Sequence, residues 1–245
     1  MLPELYHDLA QPGVKILGKV IGDALSLVVL PMTAMGTYAS KVNMYLQHNL
    51  KKYAESLKKI PEEKVCAAHP QIAVPILQRL SYTTNEDIAD LFVALLTKAS
   101  NTDTQNMAHP GFESVISQLS QDEARIIKYL KGKENIEYCD LVGYNAKGDA
   151  YAPILRKMTM IPVEVKLDYP QQIHAYYDNL VRLGIMEDKI DMYLVDNGTY
   201  KKIQSTYMFK QMASQFSHAH SRIETKKSYY QITDFGKLFI KACTS

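Results

Sequence analysis

Cysteine is scarce in this chain, and what there is lacks the spacing that chemistry would need. Cys66, Cys139 and Cys243 are the only thiols in 245 residues and form no CxxC pair. An odd count with no secretory leader points to reduced, buried thiols in a cytoplasmic setting. The opening segment MLPELYHDLAQPG is short and polar, with no basic stretch running into an apolar one, so no signal peptide is expected. Also missing are GxSxG, a P-loop, a GxGxxG after a strand and HExxH. These are the patterns by which hydrolases, nucleotide-binding folds and zincins place a nucleophile, a phosphate or a metal. His218 and His220 are the one close histidine pair, and neither His109, His174 nor an acid stands at ligand spacing from them. The expectation is no catalytic residue, no cofactor and no metal, and a protein that binds instead of catalysing.

Apolar runs fall short of membrane length. Ala24 to Ser40 carries no charge but spans 17 residues and is interrupted by Pro31 and Gly36, whereas a helical span needs roughly 20. From Val14 to Leu30 the apolar side chains wrap most of a helix, leaving Lys15, Lys19, Asp23 and Ser26 as a narrow polar stripe, the pattern of a helix buried in a bundle or in a homo-oligomer. The alternative is a membrane-active effector using residues 14–40, peripheral at the inner membrane. Leu17, Gly18, Ile21, Gly22, Leu25 and Val28 would then be its contacts, and the Gly18-xxx-Gly22 spacing would let a neighbour approach closely.

What is present is ordinary globular material, 47% apolar and 22% charged, enough for one large domain or two modest ones. Helical periodicity dominates the first half. Lys41 to Ile60 carries Val42, Tyr45, Leu46, Leu50, Tyr53, Ala54 and Leu57 on one stripe and ends at Pro61, with Lys51, Lys52, Lys58 and Lys59 mostly off it as a solvated or anion-facing side. Pro70 and Pro75 bracket an extended stretch before a short helix at Ile76 to Leu80. Thr84 with Asp87 reads as a capping box ahead of Ile88, Leu91, Phe92, Leu95, Leu96 and Ala99. His109-Pro110 restarts the chain before Phe112, Val115, Ile116 and Leu119, with His109 expected to end the loop by hydrogen bonding. A second box, Ser120 to Glu123, opens a helix ending near Leu130. The acid pairs Asp87/Asp90 and Asp122/Glu123 fall in first turns, where the helix dipole favours them.

After Leu130 the texture changes. Gly132, Gly143, Gly148 and Pro153 punctuate a segment that reads as loop with one or two short strands as far as Ile161. Pro170 opens a helix carrying Ile173, Tyr176, Tyr177, Leu180 and Val181, and Gly184 sits where a C′ glycine belongs. Ile185 to Val195 has strand character, Tyr200 to about His218 reads as one helix, and Ser228 to Ile232 as a returning strand. Thr233-Asp234 starts a last helix with Phe235, Leu238, Phe239 and Ala242 inward. The expected fold class is mainly α: an N-terminal helical bundle over residues 1–130, then a winged-helix-like α+β region over residues 131–245 with a helical insertion.

The blocks DIADLFVALLTKAS, HPGFESVISQLSQDEARIIKYL and YYQITDFGKLFIKAC resemble the abortive-infection alpha (Abi-alpha) family of bacterial proteins, with the likeness running from about Leu17 to Cys243. The resemblance implies an anti-phage protein with a phage or host protein as partner, and brings no catalytic residues with it. Charge adds a further candidate surface. The net charge of +2 conceals balances of +3 over residues 1–60, −7 over 61–200 and +6 over 201–245. In the last segment Lys201, Lys202, Lys210, Arg222, Lys226 and Lys227 are interleaved with Tyr200, Tyr207, Phe209, Tyr229 and Tyr230, a mixture able to hold phosphates and stack on bases. No RNP-like or GXXG element accompanies it, so nucleic acid is not the expected partner, and any binding there is expected to be weak and sequence-independent.

Overall fold

The structure is a computed structural model and describes residues 39–244. The candidate membrane or oligomer contacts Leu17, Gly18, Ile21, Gly22, Leu25 and Val28 lie outside the described residues. The chain divides into two compact units: one runs to Lys128 and takes in the C-terminal residues from Leu238, and the other is Tyr129–Lys237.

The first unit is helical. Its helices are α1 (Ala39–Leu57), α2 (Pro70–Leu80), α3 (Glu86–Ala99), α4 (Gly111–Ile116) and α5 (Gln121–Tyr129). Helix α3 is central, with six consecutive buried residues from Leu91 to Leu96; a run of that length passes every side of a helix, so its middle is packed all round while its polar residues gather at the two ends. Tyr53 of α1 reaches past it to share a buried hydrogen bond with Ser100, 2.6 Å. Helix starts follow local rules. Ser120 Oγ accepts from the Glu123 amide at 3.3 Å while the Ser120 amide donates to Glu123 Oε2 at 2.6 Å, a complete capping box. The cap of α3 is Asn85, whose Oδ1 accepts from the Ile88 amide at 3.1 Å, so the box expected at Thr84 moves on by one residue. Two His-Pro pairs begin helices alike: His69 Nδ1 accepts from the Gln71 amide (3.3 Å) and His109 Nδ1 from the Gly111 amide (3.0 Å). The stretch expected to be extended from Pro70 to Pro75 is therefore helix. Pro75 sits within it, removing a hydrogen bond to the Gln71 carbonyl, and Gln71 is exposed, so water can serve that carbonyl instead.

The second unit is built on one antiparallel sheet, in the order β2-β1-β4-β3. Its elements are β1 (Asn135–Tyr144), β2 (Tyr151–Met158), α6 (Ile161–Glu164), α7 (Ile173–Arg182), β3 (Met186–Lys189), α8 (Gly198–Ser205), α9 (Tyr207–Phe216) and β4 (Arg222–Ile232). The segment expected to be mostly loop is a hairpin of ten- and eight-residue strands. The strand expected from Ile185 to Val195 stops at Lys189, and Asp191 follows at φ 59°. The single helix expected over Tyr200–His218 is two, broken at Thr206, whose side chain caps α9 by accepting from the Phe209 amide. The strand pair β3–β4 is thus the edge of a four-stranded sheet, and the fold is mixed α+β instead of mainly α.

One sheet face buries Cys139, Leu141 and Leu155 against Tyr200, Ile203 and Phe209 of α8 and α9. On the other, Tyr138 and Tyr230 lie 5.1 Å apart and Tyr177 of α7 lies 5.2 Å from Tyr230, while Tyr177 shares a buried hydrogen bond with Thr159. The last helix, α10 (Asp234–Cys243), buries Phe239 and Ala242 but leaves Phe235 and Leu238 exposed, so only half of its expected inward set is inward. Phe239 meets Phe112 edge-on at 5.3 Å. The cysteines are free; burial pushes the Cys139 thiol up to about 12 and raises those of Cys66 and Cys243, which makes all three poor nucleophiles.

Candidate functional site

Strand alternation decides how the six basic candidates are disposed. Successive residues of β4 point to opposite faces, so Arg222 and Lys226 share one face and Lys227 takes the other. Register then supplies partners from β1 and β2. Tyr144 lies opposite both Arg222 and Tyr151, and Asp140 lies opposite Lys226. The Arg222 guanidinium sits 4.1 Å over the Tyr144 ring, the Lys226 ammonium 3.6 Å over the Tyr151 ring, and the two rings are 5.5 Å apart. Each such stack contributes about 0.5–1 kcal/mol where exposed. This leaves an alternating cation–ring patch on the sheet, with Tyr151 53% exposed and Glu224 beside Arg222 at 3.7 Å.

The other basic candidates do not join it. Lys227 donates to Asn197 Oδ1 at 2.9 Å and lies 5.5 Å over the Tyr200 ring, on the helix-covered side. Lys201 and Lys202 are exposed on α8 and Lys210 on α9. Of the aromatics expected to stack on bases, Tyr200, Phe209 and Tyr230 are core. The two tyrosines that do face the cations, Tyr144 and Tyr151, lie some seventy residues upstream, and only the strand register could have named them.

The helical unit carries a second constellation. The Lys52 ammonium binds Glu86 and, at 2.9 Å, Asp90; Lys128 binds Asp87 (2.9 Å) and Asp90 (3.0 Å); Arg125 binds Asp87 (2.8 Å) and Asp122 (3.3 Å). The acids read from sequence as first-turn residues therefore also tie α3 to α1 and α5. Burial opposes the charge on Asp87, but hydrogen bonds from Lys128 and Arg125 outweigh it and hold its carboxyl below the usual 3.8. Burial likewise works against the Lys128 ammonium, yet Asp87 and Asp90 raise it above 10.5.

A carboxyl depressed on folding stabilises above its unfolded value and loses that contribution as pH falls through its folded value. An ammonium raised on folding stabilises below 10.5 and loses it as pH climbs through its folded value. The network is expected to add stability at neutral pH that declines below about pH 4 and above about pH 10.5. In thermal melts across pH, Asp87→Asn should lower the midpoint at pH 7, and the gap to wild type should close at pH 2–3. A gap independent of pH would assign the loss to packing instead.

His220, half of the histidine pair, packs against Gly143, where a Cβ would strike its ring, and its Nδ1 lies 3.1 Å from the Phe216 carbonyl. Among the described residues no group of three His, Cys, Asp or Glu could hold a metal ion. Nor, among them, is any helix long and apolar enough to cross a membrane.

Comparison with known proteins gives one family: the abortive infection alpha family model matches residues 45–243. No curated protein matches. A solved structure of an uncharacterized protein from the hydrocarbon-degrading marine bacterium Alcanivorax borkumensis SK2 aligns with 59% of this chain and 96% of its own, at 13% identity and a TM-score of 0.35.

Proposed function

The chain belongs to the abortive infection alpha family, and on that premise we propose that it is a cytoplasmic bacterial protein that defends against phage by binding a phage or host component instead of catalysing a reaction. The observation that carries the binding role is the sheet patch. Arg222 and Lys226 are held over Tyr144 and Tyr151 at the surface, a prearranged set of aromatic and cationic contacts of the kind that dominates recognition. Lys52, Arg125 and Lys128 of the helical unit, by contrast, are engaged with Asp87 and Asp90.

The test is infection of cells expressing the full chain. Plaques should fall in number; cultures should survive at a low phage-to-cell ratio and collapse at a high one. Tyr151→Ser with Lys226→Ser should abolish protection at unchanged protein level and melting temperature. Undiminished protection by that variant would remove the patch from the mechanism, and full plaque numbers across a phage panel would remove the defence role.

A second reading follows from the same patch, single-stranded nucleic acid being a ligand that uses both rings and cations. Binding would then weaken with salt, and each of Arg222→Ala and Lys226→Ala would flatten the logarithmic slope by about 0.7; salt-independent binding would exclude it. The membrane-active alternative rests on residues 14–40, and liposome flotation of the full chain against one lacking residues 1–40 decides it.

A further inference from the structure

Helices α1 and α3 enclose a groove of about 420 Å³, within the size range of small-molecule sites. His48 meets Glu86 and Lys52 meets Asp90, and both pairs are 38 residues apart. The helices therefore run side by side in the same direction, and residues of α1 lie level with residues 38 positions later. Lys52, Glu55 and Ser56 of α1, continued by Lys59 and Ile60 in the turn after it, face the stripe Asp90, Val93, Ala94, Thr97, Lys98 of α3, which has the i, i+3, i+4, i+7, i+8 spacing of one helical face.

Polar and apolar groups line the groove in a definite order. Its first level is closed by the Lys52–Asp90 pair. The middle is floored by buried Val93 and Ala94, and the Ser56 and Thr97 hydroxyls turn away to donate to their own helices (3.0 and 2.7 Å). At the far level stand Lys59 and Lys98, neither with a carboxylate partner among the described residues. Asn101 follows, its amide oxygen accepting from the Asp103 amide at 2.9 Å and its NH2 making no hydrogen bond among the described residues. Glu55, with no ion-pair partner among the described residues, overlooks the middle.

We propose that this groove binds a small organic phosphate monoester, of which a nucleoside monophosphate is the simplest form. Lys59, Lys98 and Asn101 take the phosphate, Val93 and Ala94 take the flat apolar body, and Glu55 accepts from a hydroxyl or amino group on it. A monoester carries close to two negative charges at neutral pH, matching two free ammoniums better than a carboxylate does. The site is separate from the sheet patch, and the inference does not depend on the defence role.

Calorimetric titration of the full chain tests it with three probes: adenosine monophosphate, adenosine and inorganic phosphate. Adenosine monophosphate should bind saturably with Kd of about 0.1–1 mM, at least about tenfold tighter than either fragment. Lys59→Ala with Lys98→Ala should weaken it by about tenfold or more and leave adenosine unchanged. Ala94→Phe should block both. Lys59 is exposed and Lys98 half-buried, neither in the core, so the double variant stays folded and interpretable even if Ala94→Phe does not. Adenosine monophosphate binding no tighter than inorganic phosphate, or unaffected by the double lysine change, overturns the proposal.

Discussion

Gly236→Ala is expected to cost the sheet unit about 3 kcal/mol or more, an unusual price for one methyl group. A Cβ at Gly236 would lie 2.9 Å from the Ile185 carbonyl carbon and closer still to its oxygen. That carbonyl cannot retreat: it accepts from the Thr233 amide at 3.1 Å, and the Ile185 amide is itself tied to the Leu180 carbonyl at 3.0 Å. Thr233 closes the arrangement, its hydroxyl donating to the Gly184 carbonyl at 2.5 Å while accepting from the Gly236 amide at 2.8 Å as the N-cap of α10. The LGI and ITDFG segments are thus two halves of one junction, where the end of α7 and the end of β4 approach at backbone distance. Gly184→Ala makes the contrast. Gly184 has φ +74° and only the Phe235 ring nearby, at 3.9 Å, so alanine there meets backbone strain of about 1 kcal/mol and no collision. Thermal melts should rank wild type, Gly184→Ala and Gly236→Ala in descending order; equal midpoints for the two variants would mean that the close approach is relaxed in solution.

What the sequence made legible was local. The Ser120–Glu123 box, the Gly184 helix stop and the apolar stripes of α1 and α3 each depend on residues within a few positions of one another, and each is present. Asn85 displaced Thr84 as a cap because both are good cap residues and only the direction of the Ile88 amide chooses between them. Long-range partners hid the sheet. Asp140 looks misplaced in a strand until Lys157, at φ 48°, brings its amide within 2.5 Å of the carboxylate at the irregularity between β1 and β2. Polar and glycine residues at Glu137, Asp140 and Gly143 therefore read as loop although β1 pairs along ten residues with β4.

The make-up of the candidate surface was hidden for the same reason. Charge counting found Arg222 and Lys226, but it could not separate them from Lys227, which the alternation of β4 sends to the opposite face, nor supply Tyr144 and Tyr151, which only strand pairing delivers. Composition sees how many cations a segment holds. Register determines which of them meet a ring.

Leu95→Ala is the second large expected loss, about 2–5 kcal/mol, because Leu95 is 0% exposed at the centre of the most enclosed helix and its removal leaves a cavity that neighbours fill only partly. Val93→Ala, two residues earlier, removes fewer atoms from a position that is also buried but lines the α1–α3 groove. The space it leaves opens into the groove, where water can enter, so the cavity penalty largely disappears and the loss should be about 1 kcal/mol. Lys98→Ala, on the same helix and without a carboxylate partner among the described residues, should fall within about 0.5 kcal/mol of wild type. Urea unfolding should show the midpoints ordered in that way at a constant slope with denaturant. If Leu95→Ala melts with wild type, α3 does not have its Leu95 face in the core; if Val93→Ala costs as much as Leu95→Ala, the groove between α1 and α3 is closed in solution and holds no ligand.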